Sequence, residues 1–138
     1  MKNTHLTQKI KLPIVLDERG DLVFGESKKH IPFIIKRIFY IFNTKKKDKR
    51  GFHAHKKTIL ALFCISGSAV IKLDNGQNKA GILLSKPNEG VIIPPKIWHS
   101  MEDFAPNTIF LCLASELFNE NDYLRNYQVF KEYISKCN

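Results

Sequence analysis

Apolar positions along this chain come in short bursts separated by turn residues, the pattern of strands rather than of helices. Residues 31–43 are dominated by β-branched and aromatic side chains, which suit a pleated, buried surface. Further strands are predicted over residues 10–16, 22–25, 59–65, 69–73, 80–84, 91–93 and 108–114. Ser66-Gly67-Ser68, Asp74-Asn75-Gly76, Lys86-Pro87-Asn88 and Ala105-Pro106-Asn107 punctuate them. Asp-Asn-Gly is a strong hairpin signal, because Asn and Gly tolerate positive φ. Many short strands at such spacing predict an antiparallel barrel or sandwich. The tail differs: Leu124, Tyr127, Phe130 and Ile134 recur at helical spacing, which predicts an amphipathic helix over residues 121–136 packed on the barrel.

With 138 residues the chain fits one domain, 1–138. Hydrophobic residues at 43% and charged residues at 25% are globular values and argue against disorder. No apolar run reaches the ~18 residues of a membrane span, and the N-terminus carries no hydrophobic signal segment, so a cytoplasmic protein without a membrane partner is expected. Cys64 and Cys112 lie in apolar runs and Cys137 near the end; the three form neither a disulfide framework nor a zinc pattern. The net charge of +9 favours anionic partners. Much of it sits in Lys45-Lys46-Lys47-Asp48-Lys49-Arg50, which reads as a solvated loop. No nucleic-acid-binding signature accompanies the charge, so nucleic acid is not an expected partner.

The chemistry concentrates in three of five histidines. His5 and His30 lie among polar or turn residues and read as surface groups. His53 and His55 are two apart; on a strand both point to one face and can enter one pocket. A buried strand and Gly67 follow, then Gly90-Val91-Ile92-Ile93-Pro94-Pro95-Lys96-Ile97-Trp98-His99. These two stretches resemble the paired motifs of the cupins. The resemblance implies an all-β, cupin-type double-stranded β-helix (a jelly-roll barrel) with one C-terminal α-helix, and places all three histidines inside the barrel. The glutamate that metal-binding cupins carry after the second histidine is missing: Lys56-Lys57-Thr58 stands there instead. Two readings remain, a metal-free acid–base site or a three-histidine metal centre. The flanking lysines favour the first.

A closer resemblance rests on Asp17-Glu18-Arg19-Gly20-Asp21-Leu22, residues 31–42 including Lys36-Arg37 and Tyr40, Arg50-Gly51-Phe52-His53-Ala54-His55-Lys56-Lys57, Ile97-Trp98-His99, Leu113-Ala114-Ser115 and Asn121-Asp122-Tyr123-Leu124-Arg125-Asn126-Tyr127. In this order they are similar to the dTDP-4-oxo-6-deoxyglucose 3,4-ketoisomerases, the WxcM-like family. The resemblance implies a homodimer that exchanges an N-terminal strand. It also implies a cytoplasmic dTDP-sugar substrate, no metal or other cofactor, and a ketone moved from C4 to C3. It implies further that the product feeds 3-amino-3,6-dideoxy sugars of surface glycans such as lipopolysaccharide O-antigen or S-layer glycan. His53 and His55 become the proton-transfer pair, with His53 as base. Tyr40 matches a family tyrosine near the pocket and would hydrogen-bond the enediolate; otherwise it is a cross-strand aromatic. Arg50 would meet a phosphate, a contact worth ~1.5–3 kcal/mol, or simply end the basic run. Lys72 would meet diphosphate if it faced inward, and water if it faced outward. Arg19 and His99 resemble the branch making dTDP-3-oxo-6-deoxygalactose; gluco-forming members tend to carry Tyr and Arg at these places. Ser100 departs from the glutamate common after His99. Trp98 is either a stacking group for thymine or a core residue. The competing functions are a three-histidine metal oxygenase, a non-catalytic binding module, and a cupin epimerase that keeps the ketone at C4.

Overall fold

The structure, a computed structural model, describes residues 6–137, so the surface position expected of His5 lies outside the described residues. In chain order the strands are β1 (Gln8–Lys11), β2 (Ile14–Val15), β3 (Leu22–Val23), β4 (Arg37–Ile41), β5 (Arg50–His55), β6 (Leu60–Ser66), β7 (Ala69–Asp74), β8 (Lys79–Leu84), β9 (Glu89–Ile93), β10 (Trp98–Glu102), β11 (Ile109–Ala114) and β12 (Tyr123–Leu124), followed by helix α1 (Tyr127–Lys136). They build two five-stranded sheets, β1-β9-β6-β11-β4 and β12-β5-β10-β7-β8, and a small β2–β3 hairpin. The strand pairs within them are antiparallel. This is the expected all-β jelly roll with one C-terminal helix.

Alternation along the strands explains the two-sheet packing. Leu60, Leu62 and Cys64 of β6 face Ile71 and Leu73 of β7, with Phe104, Phe110 and Cys112 filling the space between the sheets. Each fully buried aliphatic side chain contributes roughly 1.5–3 kcal/mol. The other face of the first sheet is buried too: Phe63, Ile92 and Leu113 are covered by Leu12, Ile31 and Phe33. That is why residues 59–65 read as a continuous apolar run. Burial pushes the Cys64 thiol up to about 11 and the Cys112 thiol up to about 12, so both act as small hydrophobes.

Three predicted elements differ in extent. Residues 10–16 split into β1 and β2 at Leu12-Pro13, since proline has no N–H for a ladder. Of residues 31–43 only Arg37–Ile41 is strand; Ile31 makes an isolated bridge to Ser27 while Ile31 and Phe33 plug the outer cluster. The helix expected from residue 121 begins at Tyr127, because the Asn126 side chain caps the Val129 N–H at 3.0 Å. Before it, Tyr123 and Leu124 pair with His55 and Ala54 as an edge strand. Leu124, counted as helical from its spacing, is buried with Ala54 and Phe130. The N-terminal strand expected to be exchanged, β1, pairs in this chain with its own β9. His30 is half-buried, its Nδ1 accepting the Glu26 N–H at 3.1 Å.

Candidate active site

The site is built on β5 and β10, which run side by side. His53 and His55 point to the interior face of β5 while Ala54 packs outward under the helix. His99 of β10 lies opposite His53 in register. The ring centroids are 5.2 Å apart for His53–His55, 4.7 Å for His53–His99 and 5.9 Å for His55–His99. His55 and His99 are almost fully buried, at 3% and 2% exposure.

A β-bulge brings a fourth group to this face. The register between β5 and β10 shifts at His99/Ser100, where Ser100 pairs with Gly51 and leaves Phe52 as the extra residue. Gly51 and Phe52 have φ of 95° and 60°. A Cβ on Gly51 would come within 2.8 Å of the His99 carbonyl oxygen, so glycine is required there. By simple alternation Arg50 would point away from His53. The extra residue turns it inward, and Arg50 lines the mouth of the histidine cavity.

That cavity has a volume of about 210 Å³, and Phe39, Arg50, Tyr123 and Arg125 line it together with the three histidines. Burial is the main reason all three imidazoles are neutral. It lowers His53 to about 4, helped by the His55 and Arg125 charges. It lowers His55 to about 4, against the opposing hydrogen bond to Asp122, and His99 to about 3 with help from His53. The tautomers of two rings follow from their partners. His55 Nδ1 lies 2.9 Å from an Asp122 carboxylate oxygen and His99 Nδ1 lies 3.1 Å from the Ile97 carbonyl. Both partners only accept, so each Nδ1 carries the proton and each Nε2 keeps its lone pair. Asp122 also accepts from the Thr58 hydroxyl and from the Lys57 N–H at 2.7 Å. Burial works against its charge, yet these hydrogen bonds outweigh it and hold the carboxyl below its ordinary value.

Three neutral imidazoles whose ligand atoms lie within 4.8 Å of one another also fit a transition-metal ion geometrically. The cationic Arg50 at the same cavity opposes one electrostatically, whereas the charge of Arg125 is offset by Glu120 at 2.6 Å.

The remaining sequence candidates lie elsewhere in the chain. Tyr40 is not brought to the cluster. Phe39 and Ile41 line the cavity, and Tyr40 points to the other face of β4, 63% exposed beside Phe42. Lys72 faces outward between the buried Ile71 and Leu73, its Nζ 2.7 Å from the Glu102 carboxylate. It lines a larger groove of about 590 Å³ on the outer face of this sheet, which contains none of the three histidines. Trp98 borders that groove and packs on Tyr127 and Phe130, so it is part of the helix-packing cluster. Arg19 is exposed in the β2–β3 turn, where it holds Asp17 at 2.7 Å and draws that carboxyl down to about 2. The sequence reading missed Asp122, Tyr123 and Arg125 as site residues. Their signal is the Asn121-Asp122-Tyr123-Leu124-Arg125 segment, which helical spacing assigns to the predicted helix.

The family model described as FdtA, WxcM-like, C-terminal matches residues 5–135. This chain belongs to that family. A curated relative, the TDP-4-oxo-6-deoxy-alpha-D-glucose-3,4-oxoisomerase of Aneurinibacillus thermoaerophilus, is 46% identical over 90% of this chain and 89% of its own length. The crystal structure of a 3,4-ketoisomerase from Helicobacter canadensis superimposes with TM-score 0.91 at 39% identity, covering 94% of this chain and 97% of that one. QdtA, a sugar 3,4-ketoisomerase from Thermoanaerobacterium thermosaccharolyticum solved with TDP, superimposes with TM-score 0.93 at 37% identity, covering 97% and 98%. A histidine-to-asparagine mutant of QdtA was solved with TDP-4-keto-6-deoxyglucose. A QdtA double mutant with tyrosine changed to arginine and arginine to histidine was solved with TDP. The FdtA-type fold is the cupin-like one seen in these relatives. Among the described residues no helix is long and apolar enough to cross a membrane.

Proposed function

We propose a specific reaction for this sugar-nucleotide 3,4-ketoisomerase. It converts dTDP-4-oxo-6-deoxy-D-glucose to dTDP-3-oxo-6-deoxy-D-galactose by acid–base chemistry, without metal or organic cofactor. The observation that carries the reading is the pair of neutral imidazoles, His53 and His55, 5.2 Å apart in one small cavity. Moving a ketone by one carbon needs a base for the C3 proton, a return of a proton to C4, and transfers between the two oxygens. A neutral imidazole accepts the first proton and its conjugate acid returns it, and each positioned acid–base group typically contributes about 10²–10⁴-fold. His53, at the open side of the cluster, takes the C3 proton and delivers it to C4. His55 addresses the O3 hydroxyl through Nε2, because Asp122 holds its other nitrogen protonated. His99 packs against His53 at 4.7 Å and fixes its face. A cavity of about 210 Å³ suits the hexose. Arg50 at the mouth attracts the diphosphate, beside Arg125, which is paired with Glu120 at 2.6 Å, and the nucleoside stays outside.

The galacto product rests on Arg19 and His99. The QdtA double mutant exchanges tyrosine for arginine and arginine for histidine, the same residue types that separate the two branches at these positions. Arg19 lies on a hairpin that exposes Ile14, Val15, Leu16 and Leu22, and the outer face of β4 exposes Ile38 and Tyr40. Apolar surface of this extent is favourably covered. A homodimer in which the N-terminal segment is exchanged, replacing the pairing of β1 with β9 of its own chain, would cover it and carry Arg19, and on β4 Tyr40, toward a partner's site. Lys72, already paired with Glu102, has no part in this reading. In this reading the enzyme acts in the cytoplasm, one step before transamination in surface-glycan synthesis.

The three-histidine geometry favours one second reading, a metal-dependent cupin oxygenase. Proton NMR of chelator-treated protein with dTDP-4-oxo-6-deoxyglucose separates the two. A product with the ketone at C3 and an axial C4 hydroxyl is expected. An equatorial hydroxyl overturns the galacto assignment. Activity lost on chelation and restored by one metal overturns the cofactor-free mechanism.

A further inference from the structure

The ketoisomerase chemistry leaves one proton unassigned. As the C3–H electron pair becomes the C3=C4 bond, the C4 carbonyl oxygen must be protonated, and neither His53 nor His55 is charged beforehand. The group expected for that oxygen, Tyr40, faces away. Of the side chains lining the cavity only Tyr123 carries a hydroxyl. Its ring lies 4.5 Å from His55 and 5.1 Å from His53, in a triangle with the two proton carriers.

A second observation concerns Arg37. This guanidinium is half-buried over the rings of Phe39 and Phe118, at 5.5 and 5.7 Å, and its Nε is buried without a hydrogen-bond partner. A half-buried charge of this kind gains from any further acceptor. Its Nη1 donates to the Tyr123 hydroxyl oxygen at 3.4 Å. A second cation, Arg125, stacks over the face of the Tyr123 ring at 4.1 Å. Arg37 thus gives the Tyr123 oxygen a cationic hydrogen-bond donor, while Arg125, paired with Glu120 at 2.6 Å, packs on the ring.

We propose that Tyr123 is a catalytic residue, the phenol that protonates O4 of the 4-oxo sugar and is re-protonated from O3. The inference rests on the ketoisomerase reading. In the forward half His53 takes the C3 proton, and the carbonyl π pair takes the Tyr123 proton, leaving an enediol and a phenolate held by Arg37. In the return half His55 Nε2 takes the O3 proton and passes it to the phenolate. The O3–H pair becomes the new carbonyl, and the enediol pair takes the proton on His53 at C4. Every proton is returned and no oxidant or reductant enters.

The test is Tyr123→Phe in the full chain, assayed by NMR beside wild type and Tyr40→Phe. Phenylalanine keeps the ring packing and removes only the O–H. A fall in kcat of about 10²–10⁴-fold is expected, with KM, TDP affinity and melting temperature within about threefold or unchanged. Tyr123→Phe at near wild-type kcat overturns the proposal. So does a comparable kcat loss in Tyr40→Phe with Tyr123→Phe spared. If Tyr123→Phe does not fold, site-specific 2,3-difluorotyrosine at position 123 is substituted. A downward displacement of the alkaline limb of kcat supports the role, and an unmoved limb overturns it. Wild-type protein that leaves the 4-oxo sugar unchanged overturns the ketoisomerase reading itself, and the role of Tyr123 falls with it.

Discussion

Asp122 lies 2.9 Å from Nδ1 of His55 and so decides which nitrogen of that imidazole is basic. The two residues are far apart in sequence, and the edge strand β12 joins them by pairing Tyr123 with His55. A carboxylate with three hydrogen bonds accepted from Thr58, Lys57 and His55 is fixed in place, and a fixed acceptor fixes the tautomer.

Asp122→Asn is expected to lower kcat by about 10²-fold or more with KM little changed. The amide offers an N–H where only acceptance works, so His55 adopts the other tautomer. Steady-state kinetics check this, and a kcat near wild type would show that His55 needs no such partner. Loss of the buried contacts is also expected to cost about 1–3 kcal/mol of stability, read by denaturant unfolding.

His53→Asn and His55→Asn are each expected to lose about 10²–10⁴-fold in kcat while keeping the fold. Both rings are held neutral at a cost, so removing one does not unpick the core between the sheets. Circular dichroism should be unchanged. Retained activity in His53→Asn would move the base to another group.

Stability should fall on acidification between pH 6.5 and about 4. The folded values of His53 and His55 are about 4 and that of His99 about 3, all below the ordinary 6.5. The unfolded chain therefore binds more protons throughout that window, and stability rises with pH across it. Melting temperature measured from pH 4 to 7 should show a positive slope, shallower in His99→Gln. A flat profile would mean that the cluster is not desolvated. The acid limb of kcat/KM, which reports the free enzyme, should likewise lie near pH 4 rather than 6.5.

Gly51→Ala is expected to destabilise the fold by about 1–3 kcal/mol. Its φ of 95° and the His99 carbonyl 2.8 Å from any added Cβ leave no room for relaxation in place. Because the same bulge turns Arg50 inward, KM for the sugar nucleotide should rise as well. A variant with unchanged stability and KM would show that the bulge can shift without consequence.

Much of the fold was legible because burial follows strand period. The run at residues 59–65 became β6, the Asp-Asn-Gly turn joined β7 to β8, and Cys64 and Cys112 went to the core. The boundaries that failed did so where one side chain has two uses. Leu124 fits a helical stripe and an edge strand equally well, and the cap at Asn126 chose between them. Tyr40 and Phe39 are neighbours of similar size, and only the packing of β4 on β11 decides which one faces the cavity.

By itself the sequence determined that His53 and His55 share a face, because a strand repeats every two residues, and that the histidine motif lies on a barrel of short strands. The tertiary structure decided the company those histidines keep. Register set His99 against His53, one extra residue at Phe52 reversed the parity of Arg50, and an edge strand from the C-terminal segment delivered Asp122, Tyr123 and Arg125. Periodicity is a local property of the backbone and can be read along the chain. Register, bulges and edge pairing depend on contacts between segments far apart in sequence, and they exist only once the sheets have closed.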